Sequence, residues 1–297
     1  MTAPPAPPAD GVLRLGRHAF SPDRLLVMAI VNRTPDSFFD RGATWSDDAA
    51  LARVAEVIAD GAEIVDIGGV KAGPGDPVSG AEEARRVVPF IAAVRAAHPE
   101  IVISVDTWRH EVGRAACEAG ADLLNDAWGG WDPKLAEVAA TFGAGLVCTH
   151  TGGAAPRTRP HRVTYADVMA DVVATTTGLA DRAVSLGVAP SAVLVDPAHD
   201  FGKNTWHSLA VTRDLATLVE TGWPVLVSTS NKDFIGESLG REVTERLAGS
   251  LATVVVCALA GARVFRVHAV AQTRDALDMV ACIRGSAEPR QTVRALA

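Results

Sequence analysis

Cysteine is scarce and unpaired in this 297-residue chain. Cys117, Cys148, Cys257 and Cys282 stand apart in apolar segments, with no C-x-x-C pair. That spacing argues against a disulfide scaffold or a cysteine-built zinc site. It reads as buried free thiols in a reducing compartment, the cytoplasm. Basic charge is also in short supply: 28 Lys and Arg against 35 Asp and Glu leave a net charge of −7 and a pI near 5.6. A nucleic-acid binder needs a basic face, so that class is set aside. Any anionic ligand must be held by a few local cations, not by a global field. No stretch has the 18 or so uninterrupted apolar residues of a membrane span, so no membrane partner is expected. Residues 1–10 are rich in Pro and Ala and lack a basic n-region and an apolar h-region. They read as a disordered tail, not a signal peptide. No G-x-G-x-x-G follows the first predicted strand, which weakens an open dinucleotide-binding sheet. No His-x-His follows it either, so a dedicated metal cage of the hydrolase type is not expected.

What the chain does have is a large apolar content, 48%, arranged in alternation. A short hairpin is predicted over 12–20, turning at Gly16. Strands are predicted over 25–32, 63–68, 101–106, 122–125, 145–150, 193–196, 225–230 and 264–268. Helical spacing intervenes each time, including 47–60 with Ser46 as N-cap, 81–97, 133–142, 165–186, 209–221, 233–239, 244–260 and 274–284. Eight β–α units without a composition break imply a parallel sheet with right-handed crossovers, and eight is the closing number of the (β/α)₈ TIM barrel. The expected organisation is α/β: a single barrel over 11–290 behind the 1–10 tail, with a C-terminal tail at 291–297.

The predicted strands end on polar residues: Asn32, Asp66, Asp106, Asn125, His150, Asp196, Ser230 with Lys232 nearby, and Arg266 with His268. One polar strand end is a turn cap. A ring of them at the C-terminal mouth is a site, because buried polar groups otherwise need separate partners. Asp106, Asn125, Asp196 and Lys232 supply acceptors and donors for a flat, amino-substituted heterocycle, since a carboxylate receives an N–H/NH₂ edge in a fork. Asn32, Arg266 and His268 suit an anion, where a divalent ion could help. Arg266 could instead pair with a mouth carboxylate, and His268 could be a satisfied strand-end imidazole. The two share one face of the last strand.

The runs Asn32-Arg33-Thr34-Pro35-Asp36-Ser37-Phe38, Asp66-Ile67-Gly68-Gly69, Ser104-Val105-Asp106-Thr107, Asn125-Asp126, Asp196-Pro197 with Phe201-Gly202-Lys203, and Arg266-Val267-His268 together resemble the dihydropteroate synthase family. The resemblance spans roughly 25–283 and implies the barrel, usually as a homodimer. That family joins p-aminobenzoate to hydroxymethyl-dihydropterin pyrophosphate. By resemblance, Asp106, Asn125, Asp196, Phe201 and Lys232 would hold the pterin. Asn32 would ligate Mg²⁺, and Arg266 and His268 would hold the pyrophosphate. The first loop, with Asp36 and Asp40, would close over the reaction.

The departures are concentrated at the rim. Val70-Lys71-Ala72-Gly73 stands where the family has Glu-Ser-Thr-Arg. Ser230-Asn231-Lys232 replaces Ser-Arg-Lys, and Ala198-His199-Asp200 replaces Gly-Ile-Gly. Arg33 and Arg41 replace an apolar residue and a Gly. Loss of a preorganised donor costs roughly 10²–10³ in rate. The expected function is therefore a dihydropteroate synthase-like pterin binder that makes dihydropteroate poorly or not at all, with p-aminobenzoate or another amine as second substrate. Lys71 or Arg33 is the candidate substitute cation. Two alternatives stand beside this reading: an active synthase with a remodelled loop, and a pterin-dependent methyltransferase-type barrel or non-catalytic binder.

Overall fold

The computed structural model describes residues 6–33, 47–158 and 163–294. The chain opens with an antiparallel hairpin, β1 (Leu13–Leu15) and β2 (His18–Phe20), turned at Gly16 with φ +54°. The barrel strands follow as β3 (Leu26–Asn32), β4 (Ile64–Gly68), β5 (Val102–Asp106), β6 (Leu123–Asp126), β7 (Gly145–Thr149), β8 (Val193–Asp196), β9 (Leu226–Val227) and β10 (Val264–Val267). All pair in parallel in the order β8-β7-β6-β5-β4-β3-β10-β9, and a bridge from Val195 to Val225 joins the two ends. The helices are α1 (Asp47–Ala59), α2 (Gly80–Ala97), α3 (His110–Glu118), α4 (Leu135–Phe142), α5 (Val168–Ser185), α6 (Thr205–Arg213), α7 (Leu215–Val219), α8 (Asp233–Leu239), α9 (Leu247–Ala260) and α10 (Val270–Arg284). The expected (β/α)₈ barrel with its hairpin is what the chain forms.

Strand side chains alternate between the helix layer and the barrel interior. Val27, Ala29, Val31, Val65 and Ile67 pack outward against the helices. Leu26, Met28, Ile64, Val102, Leu123, Val147, Leu194, Leu226 and Val264 point inward and form a separate apolar cluster. Leu13 and Leu15 of the hairpin complete that cluster, so the hairpin plugs the bottom of the barrel. Two residues further along most strands the same inward face turns polar, at Asp66, Ser104, Asn125, Thr149, Asp196, Ser228 and Arg266. The site thus stands on a sealed apolar floor.

Several boundaries differ from expectation for local reasons. The helix expected over 209–221 starts earlier, because the Asn204 side chain accepts the His207 N–H at 2.9 Å, and it breaks in two at Asp214. The 165–186 helix begins only at Val168, capped by Asp167, while Tyr165 donates its hydroxyl to Gly202 O at 2.6 Å. The strand expected over 225–230 shortens to two residues as the chain turns toward Asn231 at φ +58°. The closing helix starts at Val270, before the expected 274. Within the expected N-terminal tail, Asp10 Oδ1 accepts the Val12 N–H at 3.0 Å and so tethers the hairpin. The expected Ser46 cap lies outside the described residues.

All four cysteines are free. Among the described residues no helix is long and apolar enough to cross a membrane.

Leu15 is fully buried, with its Cδ2 only 2.7 Å from the point that a Cβ on Gly145 would occupy. Leu15→Ala should therefore lower stability by about 2–5 kcal/mol, through lost transfer energy and a cavity. Urea unfolding measures it. An unchanged midpoint would show that the hairpin is no part of the core.

Candidate active site at the barrel mouth

The polar upper interior is built around Asp66, which has no exposed surface. Its Oδ1 accepts the Ser104 hydroxyl at 2.6 Å. Its Oδ2 accepts Asn125 Nδ2 at 3.2 Å and Arg266 Nε at 2.6 Å. Arg266 turns Nη2 to Asp106 Oδ2 at 2.8 Å. Burial opposes the charge on Arg266, but Asp66 and Asp106 outweigh it and raise the guanidinium further. Burial raises the Asp106 carboxyl; Arg266 opposes the rise and Asp66 adds to it. Asp106, Asn125 and Arg266, assigned from sequence to two subsites, therefore meet in one network through Asp66. The alternative weighed for Arg266, an ion pair with a mouth carboxylate, is the arrangement present. Sequence reasoning gave Asp66 no role of its own. The signal available was a carboxylate on the interior parity of β4, in register with Ser104.

A second group faces the first. Asp196 Oδ1 accepts the Ala198 N–H at 2.7 Å. Burial pushes the Asp196 carboxyl up to about 6, against that bond and the nearby lysines. Lys232 donates to His199 O at 2.9 Å and sits 4.3 Å from the centre of the Phe201 ring. Burial lowers its ammonium, with Asp200 and Asp196 opposing. Phe201 meets Trp128 edge-on at 5.1 Å, and Trp128 meets Trp108 at 6.3 Å, which gives the cleft an aromatic wall. His268 Nδ1 lies 3.1 Å from Ser230 Oγ, and that oxygen also accepts the His268 N–H at 3.2 Å. Asn32 ends β3 with Oδ1 3.6 Å from where a Cβ on Gly68 would stand, so the amide overhangs the glycine at the end of β4. Asp36 and Asp40, placed by resemblance on the closing loop, lie outside the described residues, as does Arg41.

The departures can now be located. Arg33 places its guanidinium 4.7 Å from the Phe90 ring of α2 and is buried there. It sits on the helix side of the sheet, which removes it as the substitute cation. Asn231 also turns away: its N–H donates to Ser250 Oγ of α9 at 3.0 Å, and its side chain is buried beside that serine. The second loop, 70–77, is reached from across the mouth by Arg157. Its Nε donates to Gly73 O at 3.3 Å and its Nη1 to Asp76 O at 2.6 Å. Ala198 and Asp200 both adopt left-handed backbone, at φ +49° and +67°. Beneath them, buried Lys203 and His150 run out to the half-exposed Asp171 in a chain to which the sequence reading gave no function.

A model of the family described as pterin binding enzyme matches residues 28–268. The chain is 60% identical over 279 residues to inactive dihydropteroate synthase 2 of Mycobacterium tuberculosis, covering 93% of this chain and 88% of that one. It is 40% identical over 252 residues to dihydropteroate synthase of Bacillus subtilis, covering 84% and 85%. Among solved structures, dihydropteroate synthase of Yersinia pestis in complex with a sulfonamide drug superposes with a TM-score of 0.87. It is 34% identical and covers 93% of this chain and all of that one.

Removing the central carboxylate would leave Arg266 buried with only Asp106 and strip Asn125 and Ser104 of an acceptor. Asp66→Ala should destabilise the fold by about 3–5 kcal/mol, as for a broken buried pair. Thermal and urea unfolding measure it. A loss under about 1 kcal/mol, the range of an exposed pair, would show that Asp66 does not organise the mouth.

Proposed function

The chain belongs to the pterin-binding enzyme family, and from that premise we propose that it is a dihydropteroate synthase-like protein that retains the pterin pocket and has lost most or all synthase activity. In this reading Asp106, Asn125 and Asp196 take the N–H and NH₂ edge of the ring. Lys232 donates to a ring acceptor, and Phe201 covers one face. Arg266 and His268 serve the pyrophosphate. Asn32 offers one hard oxygen to Mg²⁺, a fit for an ion that usually takes its other ligands from substrate phosphates and water. When bound, Mg²⁺ would neutralise phosphate charge. By resemblance, Asp36 and Asp40 would belong to the loop that closes over the reaction. The second substrate, p-aminobenzoate or another amine, would enter past the second loop.

The observation that carries the loss of activity is that second loop. Pyrophosphate departure builds charge on the leaving oxygens, so the step needs donors that tighten in the transition state. Val70, Ala72 and Gly73 offer none from their side chains, and Lys71 must order a flexible stem to contribute. Arg157 reaches the loop, but it donates to the backbone carbonyls of Gly73 and Asp76. An active synthase with a remodelled loop is favoured only by the intact network around Asp66. A methyl-transfer reading has no use for the Asn32, Arg266 and His268 set.

Calorimetry should show 6-hydroxymethylpterin binding to the native protein. Asp196→Ala should lose about 1.5–3 kcal/mol of that binding, the range for a hydrogen bond to a charged group. Dihydropteroate formation should lie roughly 10²-fold or more below that of a synthase with the family loop. Rebuilding the loop as Lys71→Ser, Ala72→Thr and Gly73→Arg should raise it, with Asn231 left alone because it faces α9. Robust turnover of p-aminobenzoate by the unaltered protein overturns the loss of activity, and absence of pterin binding by folded protein overturns the pocket.

A homodimer belongs to the same reading. Val256 and Leu259 of α9 and Met279 and Ile283 of α10 are all about half exposed or more, on two helices packed side by side. Such a stripe suits a partner copy. Leu259→Glu with Ile283→Glu should convert a dimer to a monomer in sedimentation. A native protein that sediments as a monomer at micromolar concentration removes the dimer from the proposal.

A further inference from the structure

The loop after β8 is strained where the pocket needs it most. Ala198 and Asp200 hold left-handed backbone, which is strained for a residue with a Cβ. The resemblance has glycine at both positions. Yet the Ala198 N–H is the bond that orients Asp196, His199 O receives Lys232, and Phe201 supplies the ring beside that lysine. Strain of this kind persists only where surrounding contacts over-determine it.

Those contacts converge on Lys203, whose ammonium lies beneath the loop and is almost fully buried. Its Nζ is 3.2 Å from Ala198 O, 3.2 Å from Phe201 O, 3.4 Å from His150 O and 2.6 Å from His150 Nδ1. The three carbonyls accept, and with Nδ1 unprotonated the three ammonium protons are shared among all four atoms, His150 O at 3.4 Å being the weakest. His150 has no exposed surface, and its Nε2 lies 2.7 Å from Asp171 Oδ1 on α5. The carboxylate takes the Nε2 proton and leaves the Nδ1 lone pair for the ammonium. Asp171 is half exposed and opens on a cleft of about 680 Å³ that Gly152, Tyr165 and Asp167 also line. Gly202 seats the far end of the loop, because a Cβ there would run into the Thr151 carbonyl.

We propose that Lys203, oriented by His150 and Asp171, is a positioning residue for the pterin pocket: it clamps the strained 198–201 turn so that Ala198 meets Asp196 and Phe201 meets Lys232. The proposal rests on the pterin reading of the pocket for its functional consequence, and on the loop geometry alone for the clamp.

The electrostatic surroundings make the clamp sensitive to pH. Burial pushes Lys203 down to about 7; Asp196 of β8, Asp171 of α5 and Asp200 of the loop oppose this, and Lys232, which follows β9, adds to it. His150, at the end of β7, is pushed by burial down to about 4, and His199 in the loop to about 3, so both are neutral at working pH. Burial also lowers His207 on α6, with Lys203 adding. Pterin affinity should rise with pH as Asp196 ionises near 6, then fall as Lys203 loses its proton above 7.

The test combines calorimetry with 6-hydroxymethylpterin from pH 6 to 9 and hydrogen exchange of the 198–203 amides in unliganded protein. Lys203→Met should weaken binding about 10-fold or more and speed exchange at Ala198 by a similar factor, since one buried donor to several acceptors is lost. Adding Ala198→Gly to that variant should recover most of both, because glycine holds the left-handed turn without a clamp. Lys203→Arg, which does not titrate in this range, should keep binding and flatten the decline above pH 7; the ligand's own titration cancels in that comparison. Unchanged exchange and affinity in Lys203→Met overturn the proposal, and so does failure of Ala198→Gly to rescue. If the native protein binds no pterin at any pH, the reading of the pocket fails, while the exchange data still support or overturn the clamp.

Discussion

A carboxylate sealed from water at the centre of a barrel is unstable by itself, and the mouth of this protein is arranged to answer that. Asp66 receives Ser104 from β5, Asn125 from β6 and Arg266 from β10, so one anion ties together three strands besides its own. Arg266 passes the tie on to Asp106. Removing any one partner leaves another buried polar group unsatisfied, so the residues are coupled in energy as well as in space. The floor makes this possible. Leu13 and Leu15 close the barrel from below and keep water from the underside of the ion pairs.

Much of this was legible in the sequence, and the reasons differ by element. Eight apolar runs separated by helical spacing give the barrel because parallel strands bury both faces and need helical crossovers. The polar strand ends follow from the same geometry. Parity alone would have removed Arg33 from the mouth: Asn32 turns inward over Gly68, so the next side chain must face the helices, where Phe90 receives it. Asn231 was harder to read, because its direction depends on a left-handed turn and on Ser250, 19 residues later.

What the sequence could not display is coupling between distant residues. Nothing local in Lys203 distinguishes it from a surface lysine. Its role depends on His150, 53 positions earlier, and on carbonyls presented by a strained turn. Likewise Arg157 and Gly73 lie 84 positions apart and meet only because two loops cross the same mouth. The helix over 209–221 was misplaced for a smaller reason of the same kind: Asn204 acts as a cap once His207 is in place to meet it.

The distribution of intact and altered parts is itself a statement about energy. Contacts to a bound heterocycle lower the ground state and the transition state alike, so they bring affinity without rate. The residues proposed for such contacts lie deep, and Asn125 and Asp106 among them are tied to Asp66 directly or through Arg266. Donors that act only as charge develops must come from the rim, and the rim has lost its hydroxyls and its fork-shaped cation. Arg157 illustrates the difference. Its guanidinium stands near the right loop, but its bonds to two backbone carbonyls are made before any reaction begins. To meet a leaving pyrophosphate it would have to break them, so the contact that orders the loop works against its use in catalysis. A deep, rigid polar pocket beneath a rim held by static bonds is the arrangement that the proposed loss of turnover would require.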